Sequence, residues 1–350
     1  MKIYLTFDYE LFLGKNYETP EKVLVEPTNK IIKILGEKNV KATFFVDVFS
    51  SIQHKKYGLC DYSKLFEEQI QSLIKMGHDV QLHIHPHWVM SEYVNGEWKH
   101  KREYYSLKSF ENGVIDPFGK RQTIDTLISE GKSYLESVCR EVLPDYKCIA
   151  FRAGGFALQP FNIAIPALLK QGIVIDSSIG VSTIDYNQYR NYNYLMVPSD
   201  CNFSIFGDGT ISKTLEKGAS MYEIPICSKR NSFFSYIFRR KKHVLPSNKP
   251  LKGEPIDLTS GNASNKNPWF RRLLVYRKTG KMLSLDGLRY DFLVKVVEEK
   301  KEHYRDIALI GHPKFFDDNR INNMSSFIDC ALKKKIIFAT MVEKVNSDEI

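Results

Sequence analysis

The chain has 350 residues, of which 43% are hydrophobic and 26% are charged, and its formal net charge is +9. These values are typical of a folded protein with one large core or two ordinary ones, and they exclude a disordered or low-complexity chain. Six scattered cysteines with no close pair exclude a disulfide framework. No run of about 18 apolar residues predicts a membrane-spanning helix.

Short β-branched or aromatic runs alternate with amphipathic helical segments along the chain. The predicted strands cover residues 3–7, 42–46, 80–85, 148–151, 173–176, 222–226, 307–310 and 336–339. The predicted helices cover residues 27–37, 62–76, 122–143, 162–171, 288–304 and 324–335. This alternation predicts an α/β fold with a mostly parallel sheet, and the number of units favours a closed barrel over an open sheet. No Gly-x-Gly-x-x-Gly or Walker-type motif follows a strand, which excludes the two commonest open-sheet nucleotide binders.

Polar residues collect where the predicted strands end. They are Asp8, Glu10, His83, His85, His87, Arg152, Asp176 and His312. Because barrels assemble their chemistry at the rim where the carboxyl ends of the strands meet, we expect a catalytic site at this rim. The alternative is that polar residues merely mark the ends of strands. That alternative explains any single one of these residues well, but it explains all of them together less well.

Three histidines, His83, His85 and His87, stand at alternate positions and would share one face of a strand. Pro86 is expected to end that strand, which would put the last histidine on a turn. Glu10 with His83 and His87 would give two imidazoles and a carboxylate, a three-ligand site with an open position that suits a catalytic divalent metal, zinc above all. His85 is the alternative to His87 as a ligand, and a surface histidine cluster is the structural alternative.

Other residues at the same rim have types that suit proton transfer. Asp8 would lie beside Glu10 and act as the base towards water, and Arg152 would pair with Asp8 and keep it ionised. A structural salt bridge is the alternative for that arginine. His312 would act as the general acid, with Asp176 holding its imidazolium, although a lone histidine of this kind is more often structural. The Gly-Gly pair that follows Arg152 would let backbone N–H groups approach a developing oxyanion.

These motifs resemble those of the polysaccharide deacetylases of the NodB-homology type, the fourth carbohydrate esterase family. Thr6-Phe7-Asp8 resembles the family's Thr-Phe-Asp-Asp motif, with Glu10 in place of the second acid, and His83 and His87 resemble its His-x-x-x-His metal motif. The segment Arg152-Ala153-Gly154-Gly155-Phe156 stands at the family's Arg-Pro-Pro-Tyr-Gly motif, and Asp176 and His312 stand at its later acid and histidine. The resemblance covers residues 1–180 and 300–345.

The resemblance implies a distorted (β/α)7-type barrel that uses a divalent metal, most readily zinc, to hydrolyse an N-acetyl group on an amino sugar. It implies that Asp8 is the base, His312 the acid, and Glu10, His83 and His87 the metal ligands. By the same resemblance, the Gly155 N–H is the oxyanion donor, and Trp88 and Phe156 contact the carbohydrate. Hydrolysis of another C–N bond, such as amino-sugar deformylation, and an inactive glycan-binding protein are the alternative functions.

We expect a single barrel domain over residues 1–345, with an insertion at about 181–300 that includes a basic and aromatic loop at 229–253. Residues 224–253 contain eight lysines and arginines and no acidic residue, and the cations at 230 and 239–242 stand on either side of a run of aromatic residues. Such a segment can contact an anionic membrane, where a lipid-linked glycan would be the substrate, or it can bind single-stranded nucleic acid or remain a solvated loop. Nucleic acid is not the partner we expect. The expected location is cytoplasmic, and peripheral contact with the inner face of the membrane is one alternative within it.

Overall fold

The computed structural model describes residues 1–214, 219–230, 243–246, 251–258 and 279–346. Seven of its strands run parallel and curl around a shared interior in the order β14-β9-β8-β3-β2-β1-β17. In chain order these are β1 (Lys2–Tyr9), β2 (Thr43–Asp47), β3 (Asp79–Ile84), β8 (Ala150–Ala153), β9 (Ile175–Asp176), β14 (Ser220–Glu223) and β17 (Asp306–Gly311). The predicted strands therefore form the parallel sheet, with ends that differ by a few residues.

The first and last strands of this order are joined by the chain that leaves β14. Ala308 of β17 donates a backbone hydrogen bond to Pro225 O at 2.9 Å and accepts one from Cys227 N at 2.7 Å. An isolated parallel bridge pairs Ile226 with Ala308 at the same place. Because this closure rests on a single bridge, the barrel is distorted. The predicted α/β fold with a distorted barrel of mostly parallel strands is confirmed.

The remaining strands are short, and most lie in hairpins. They are β4 (Glu92–Val94), β5 (Glu97–Lys99), β6 (Val114–Ile115), β7 (Arg121–Gln122), β10 (Ile184–Tyr186), β11 (Asn191–Asn193), β12 (Phe203–Phe206), β13 (Ile211–Ser212), β15 (Ser228–Arg230), β16 (Gly280–Met282) and β18 (Ile337–Ala339). Strands β12 and β13 extend the β14 edge in antiparallel fashion, and β18 pairs with β1. Most of these strands fall in the predicted insertion, where the sequence pattern gave only one strand.

Eight α-helices flank the described part of the barrel. They are α1 (Glu26–Glu37), α2 (Val48–Lys56), α3 (Cys60–Lys75), α4 (Ile124–Arg140), α5 (Phe161–Lys170), α6 (Tyr290–Lys300), α7 (Asp318–Lys333) and α8 (Met341–Asn346). The sequence analysis missed α2 and α8. Helix α2 is buried over seven consecutive residues, 48–54, so it lacks the one-sided apolar stripe that marks a surface helix. Among the described helices, none combines the length and apolarity that crossing a membrane requires.

The alternation of side chains along the strands separates two apolar clusters. Ile3, Leu5 and Phe7 face the helices in the larger cluster, whereas Tyr4 faces the barrel interior in the smaller one. Since side chains on a strand alternate between its faces, Asp8 shares the inward face with Tyr4 and lies two inward-facing positions nearer the carboxyl end. The barrel interior therefore changes from apolar at mid-height to polar at the rim.

The amino-terminal end of the barrel has its own buried ion pair. Lys344 Nζ lies 2.8 Å from a carboxylate oxygen of Asp306, and this lysine side chain is only 4% exposed. The same carboxylate accepts hydrogen bonds from Tyr4 Oη at 2.8 Å and from Tyr222 Oη at 2.7 Å. Asp306 begins β17 and Gly311 ends it, so this pair lies about 16 Å from the rim.

Candidate active site

Strands β1 and β3 bring one carboxylate and two imidazoles together at the rim. Glu10 follows β1, and its Oε2 lies 3.1 Å from His83 Nε2 and 2.6 Å from His85 Nε2. One ligand atom from each of these residues lies within 4.8 Å of the other two, and all three residues are buried. A carboxylate and two imidazole nitrogens at this spacing form a donor set that fits a divalent transition metal with a further position left open.

The surroundings of His83 orient it as a ligand. Its Nδ1 donates a hydrogen bond to the backbone carbonyl of Arg152 at 2.8 Å, which turns Nε2 towards Glu10. Metal-ligating histidines usually have such a partner on the second ring nitrogen. Burial lowers the pKa of His83, but the carboxylates of Asp8, Glu10 and Asp47 outweigh it and raise this pKa to about 9. The pocket therefore favours positive charge at the position of the imidazole.

His87 lies outside this cluster, so the structure brings together the alternative ligand His85 and not the ligand that the spacing favoured. Strand β3 ends at Ile84, and residues Pro86–Met90 form a short 3-10 helix, so the alternation of faces stops before His87. Its ring is stacked on Tyr105 with centroids 5.8 Å apart and lies 5.7 Å from the His85 ring. Burial lowers the pKa of His87 well below its usual value. The described residues thus bring together Glu10, His83 and the alternative ligand His85.

Asp8 lies next to the cluster and is held by an arginine. Arg152 Nη1 donates to Asp8 Oδ1 at 2.5 Å, as the sequence analysis predicted. The same guanidinium donates through Nε to Ser177 O at 2.7 Å and through Nη2 to Ser177 Oγ at 3.0 Å, and it lies over the Phe45 ring. Strand register explains the arrangement, because Asp8 pairs with Phe45 across β1 and β2. The arginine leaves the other oxygen of Asp8 facing the site.

His312 approaches Asp8 from the end of β17. Its Nε2 lies 3.8 Å from Asp8 Oδ2, and its Nδ1 donates to Asp286 Oδ2 at 2.9 Å. The backbone N–H of His312 donates to the same oxygen at 2.7 Å. Burial opposes the charged imidazolium, but the hydrogen bond and the negative charge of Asp286, together with Asp8, raise the pKa of His312. The imidazolium form is therefore stabilised beside the Asp8 carboxylate.

Asp176 does not hold His312, so that part of the sequence prediction is wrong. It accepts hydrogen bonds from Ser178 N at 2.9 Å and from Ser178 Oγ at 2.7 Å. Burial raises its pKa, and burial together with the charge of Asp176 raises the pKa of neighbouring Glu223 well above the usual value. The reason is topological, because β9 lies between β8 and β14, whereas His312 follows β17. Asp176 and Glu223 form a buried carboxyl pair elsewhere in the barrel.

The predicted oxyanion donor, Gly155, and the two residues predicted to contact the substrate, Phe156 and Trp88, lie in environments that differ from one another. Gly155 has a φ of 59°, and a Cβ there would lie 2.6 Å from Tyr105 and 2.8 Å from Arg190, so this turn requires glycine. Phe156 is partly exposed, and its carbonyl accepts a hydrogen bond from Tyr194 Oη at 2.6 Å. Trp88 is only 1% exposed and packs against other rings. The prediction that it contacts the carbohydrate is therefore corrected, and its role is to pack against the neighbouring rings.

Three charged residues of the site escaped the sequence analysis. Asp47 ends β2 and accepts a hydrogen bond from His85 N at 3.2 Å, and the strand-end rule that found Asp8 would also have found it. Asp286 belongs to the predicted insertion. The only feature there that could have indicated a role in the site is that it is an acidic residue directly before a glycine, Gly287. Lys314 stands two residues after His312, and its Nζ donates to Glu10 Oε1 at 2.7 Å. Neither of the last two follows a predicted strand directly.

A comparison with protein families agrees with the resemblance found in the sequence. Residues 1–155 match the family described as polysaccharide deacetylase, which is the family that the sequence motifs resemble. A search of curated proteins gives no match.

Similar solved structures include a candidate polysaccharide deacetylase from Mycobacterium smegmatis, with 12% identity, a TM-score of 0.46, and coverage of 99% of this chain and 89% of that one. They also include a mutant form of a peptidoglycan deacetylase from Bacillus subtilis, with 10% identity, a TM-score of 0.40, and coverage of 99% and 91%. A third is a pseudoenzyme of the fourth carbohydrate esterase family from Bacillus anthracis, with 9% identity, a TM-score of 0.40, and coverage of 98% and 64%.

Proposed function

From the match of residues 1–155 to the polysaccharide deacetylase family, we propose that this chain is a metal-dependent hydrolase that removes an N-acetyl group from an amino sugar of a glycan or glycan precursor. The observation that carries the proposal is the buried cluster of Glu10, His83 and His85 beside a carboxylate, Asp8, that is not part of it. One acid is thus available as a ligand and a second one as a base, which is the division of roles that metal-assisted amide hydrolysis requires.

Glu10 Oε2, His83 Nε2 and His85 Nε2 are the atoms that would hold the metal. Zinc is the metal we propose, because a tetrahedral site with three N and O ligands and an open fourth position is its usual catalytic arrangement. A divalent cation in this place acts as a Lewis acid, which makes water more acidic and polarises the acyl oxygen. Side chains of the protein carry out the proton transfers of the reaction.

Asp8 takes the proton from the attacking water in this proposal. Arg152 occupies Oδ1 of Asp8, so Oδ2 is the oxygen that accepts the proton. The hydrogen bond from the buried guanidinium fixes the orientation of the Asp8 carboxylate. Opposite it, His312 gives a proton to the leaving sugar nitrogen, and Asp286 holds the Nδ1 side of its ring. The Gly154–Phe156 turn stands at the rim as the proposed source of an oxyanion donor, the Gly155 N–H.

Release of acetate from N-acetylated oligosaccharides tests this function. We expect acetate from the zinc-loaded chain and none after a chelator has removed the metal. Release of formate from an N-formylated sugar, with no acetate from any glycan, would instead favour amino-sugar deformylation. Glycan binding without release of either acid would identify an inactive binding protein and contradict the proposal.

Replacement of Asp286 by asparagine is expected to shift the pH dependence of the reaction. Asp286 raises the pKa of His312, so the imidazolium acid persists to higher pH than in an isolated histidine. Asparagine removes that charge, which lowers the pKa of His312 and moves the alkaline limb of kcat/KM to lower pH. A pH profile of both proteins measures this shift. An unchanged alkaline limb, with reduced activity at every pH, would mean that His312 is not the acid.

We further propose that residues 230–242 contact an anionic membrane surface and that the substrate is a lipid-linked glycan on the inner face. Residues 231–242 lie outside the described part of the structure. Within it, Lys229 pairs with Glu299 at 2.8 Å, so this cation is already partnered inside the protein. Support for the proposal comes from the sequence, where four consecutive cations, Arg239 to Lys242, follow a run of aromatic and apolar residues.

Deletion of residues 232–242 is expected to reduce binding to vesicles that contain anionic lipid, because it removes four cations and the aromatic side chains. Co-sedimentation at low salt measures the bound fraction, and neutral vesicles provide the baseline. A control that neutralises Lys333 and Lys335, two exposed cations at the end of α7, should leave binding unchanged. Equal co-sedimentation of the deletion variant and the intact chain would end the membrane proposal.

A further inference from the structure

Lys314 places a buried ammonium group on the proposed metal-ligating carboxylate. Its Nζ donates to Glu10 Oε1 at 2.7 Å and to Leu11 O at 2.9 Å, and its side chain is only 6% exposed. The same Nζ lies 5.3 Å from the centre of the Phe12 ring and 5.6 Å from that of Phe315. The ammonium is thus enclosed by aromatic rings and has Glu10 as its carboxylate partner.

The two oxygens of Glu10 therefore serve different partners. Oε1 accepts from Lys314, whereas Oε2 faces His83 and His85. A carboxylate held in this way offers one oxygen to a cation and cannot chelate it through both. The ammonium also lies across a single carboxylate from the position that the cation would take, where the two positive charges repel each other through a medium of low polarisability.

A second buried lysine in the same barrel forms a comparable ion pair away from the proposed metal ligands, so it serves as a matched comparison. Lys344 is as deeply buried as Lys314 and pairs with Asp306 at 2.8 Å, but the other partners of that carboxylate include the hydroxyls of Tyr4 and Tyr222. It lies at the opposite end of the barrel, about 16 Å away along β17. Removal of Lys344 should therefore reproduce the loss of a buried ion pair and leave the candidate metal site untouched.

We propose that Lys314 sets the metal affinity of the Glu10–His83–His85 site. With no cation bound, its ammonium holds the Glu10 carboxylate in place through Oε1, because the removal of one partner from a buried ion pair is strongly destabilising. With a cation bound, it restricts Glu10 to a single ligand oxygen and opposes the cation's charge. The result is a preformed site from which the metal exchanges more readily than the same three ligands would otherwise allow. This inference rests on the proposed metal dependence.

Zinc binding by the chelator-stripped full chain, measured in competition with a chromogenic chelator, tests the inference without reference to activity. Lys314→Met removes the charge and the hydrogen bond, and Lys314→Gln removes the charge but keeps a donor. We expect both variants to bind zinc at least about tenfold more tightly than the intact chain, because the repulsion is gone. Lys314→Arg keeps the charge and should stay within about threefold of the intact chain.

Thermal unfolding of the same proteins supplies a second readout. Without zinc, Lys314→Met and Lys344→Met should both unfold several degrees below the intact chain, since each removes the ammonium partner of a buried carboxylate. Added zinc should raise the Tm of Lys314→Met by more than it raises that of the intact chain. In Lys344→Met, the zinc affinity and the zinc-induced shift should equal those of the intact chain.

An unchanged or weaker zinc affinity in Lys314→Met and Lys314→Gln would overturn the role of Lys314 and leave the proposed function standing. Equal tightening in Lys344→Met would overturn it as well, because the effect would then follow from destabilisation in general. Failure of the intact chain and of every variant to bind zinc, cobalt or manganese would overturn both this inference and the metal dependence on which it rests.

Discussion

Replacement of Asp8 by asparagine is expected to reduce turnover by about 10²- to 10⁴-fold, the usual contribution of a general base. Zinc binding should persist, because Asp8 lies outside the Glu10–His83–His85 cluster. The fold should also persist at a lower Tm, because the asparagine Oδ1 can still accept the hydrogen bond that Arg152 Nη1 now donates to Asp8, but the buried guanidinium loses its charged partner. The amide has no basic oxygen, so proton transfer is lost.

Steady-state kinetics together with zinc content measures this outcome. Asp329→Asn is a suitable control, since Asp329 pairs with Lys38 at 2.7 Å, well exposed on helix α7, and its loss should alter neither quantity. Full activity of Asp8→Asn would show that another group accepts the proton. Loss of zinc in the same variant would show that Asp8 is a ligand, which would reverse the roles of the two rim carboxylates.

Replacement of His85 by alanine is expected to reduce bound zinc from one equivalent to nearly none, and replacement of His83 should have the same effect. Each change removes one of three ligand atoms from the cluster, and a carboxylate with one imidazole is a weak site. Replacement of His87 should leave one equivalent of zinc, because its ring packs against Tyr105 and Trp88 and it is not one of the three residues of the cluster. Elemental analysis after dialysis against buffer with limiting zinc measures all three variants.

The His87 variant is a matched control for the His85 variant. Both histidines are buried, and both changes remove an imidazole from the same short segment of chain, so folding defects should be comparable. Zinc retained by His85→Ala but lost from His87→Ala would restore the ligand set that the sequence spacing favoured. It would also mean that the segment after Pro86 rearranges when the metal binds.

The sequence predicted the part of the site that depends on strands. Asp8, Glu10, His83 and Arg152 could be placed at one rim because each belongs to, or directly follows, a short apolar run that reads as a parallel strand. Neighbouring strands in register then bring their ends together, so the contact of Arg152 with Asp8 follows from topology across 144 residues of sequence. The family resemblance added roles to residues that the pattern had already located.

The parts that failed depend on chain geometry outside the strands. The alternation rule gave His85 and His87 the same face, but Pro86 starts a 3-10 helix after β3, and His87 lies outside the cluster with Glu10. Asp286 reaches His312 because Ser284 pairs with Ile310 of β17, a contact between an irregular segment and a strand that no local pattern indicates. Lys314 looks like an ordinary surface lysine until the turn after His312 brings it over Glu10.

Asp176 was placed at the correct end of its strand but given the wrong partner. A strand-end rule states that residues share a rim, but it does not state which neighbours they meet across it. The order of strands puts β9 beside β8 and β14, so Asp176 meets Ser178 and Glu223. The acid–base partners of a barrel rim therefore require the strand order as well as the strand ends.

A crystal structure of the chain grown with zinc, with anomalous data collected on both sides of the zinc edge, tests the central claim most directly. We predict one strong anomalous peak at the rim, bonded to Glu10, His83 and His85 at about 2.0–2.2 Å, with Asp8 outside bonding distance and Lys314 still on the second oxygen of Glu10. A peak bonded to His87 in place of His85, or no peak at this rim with zinc in excess, would contradict it.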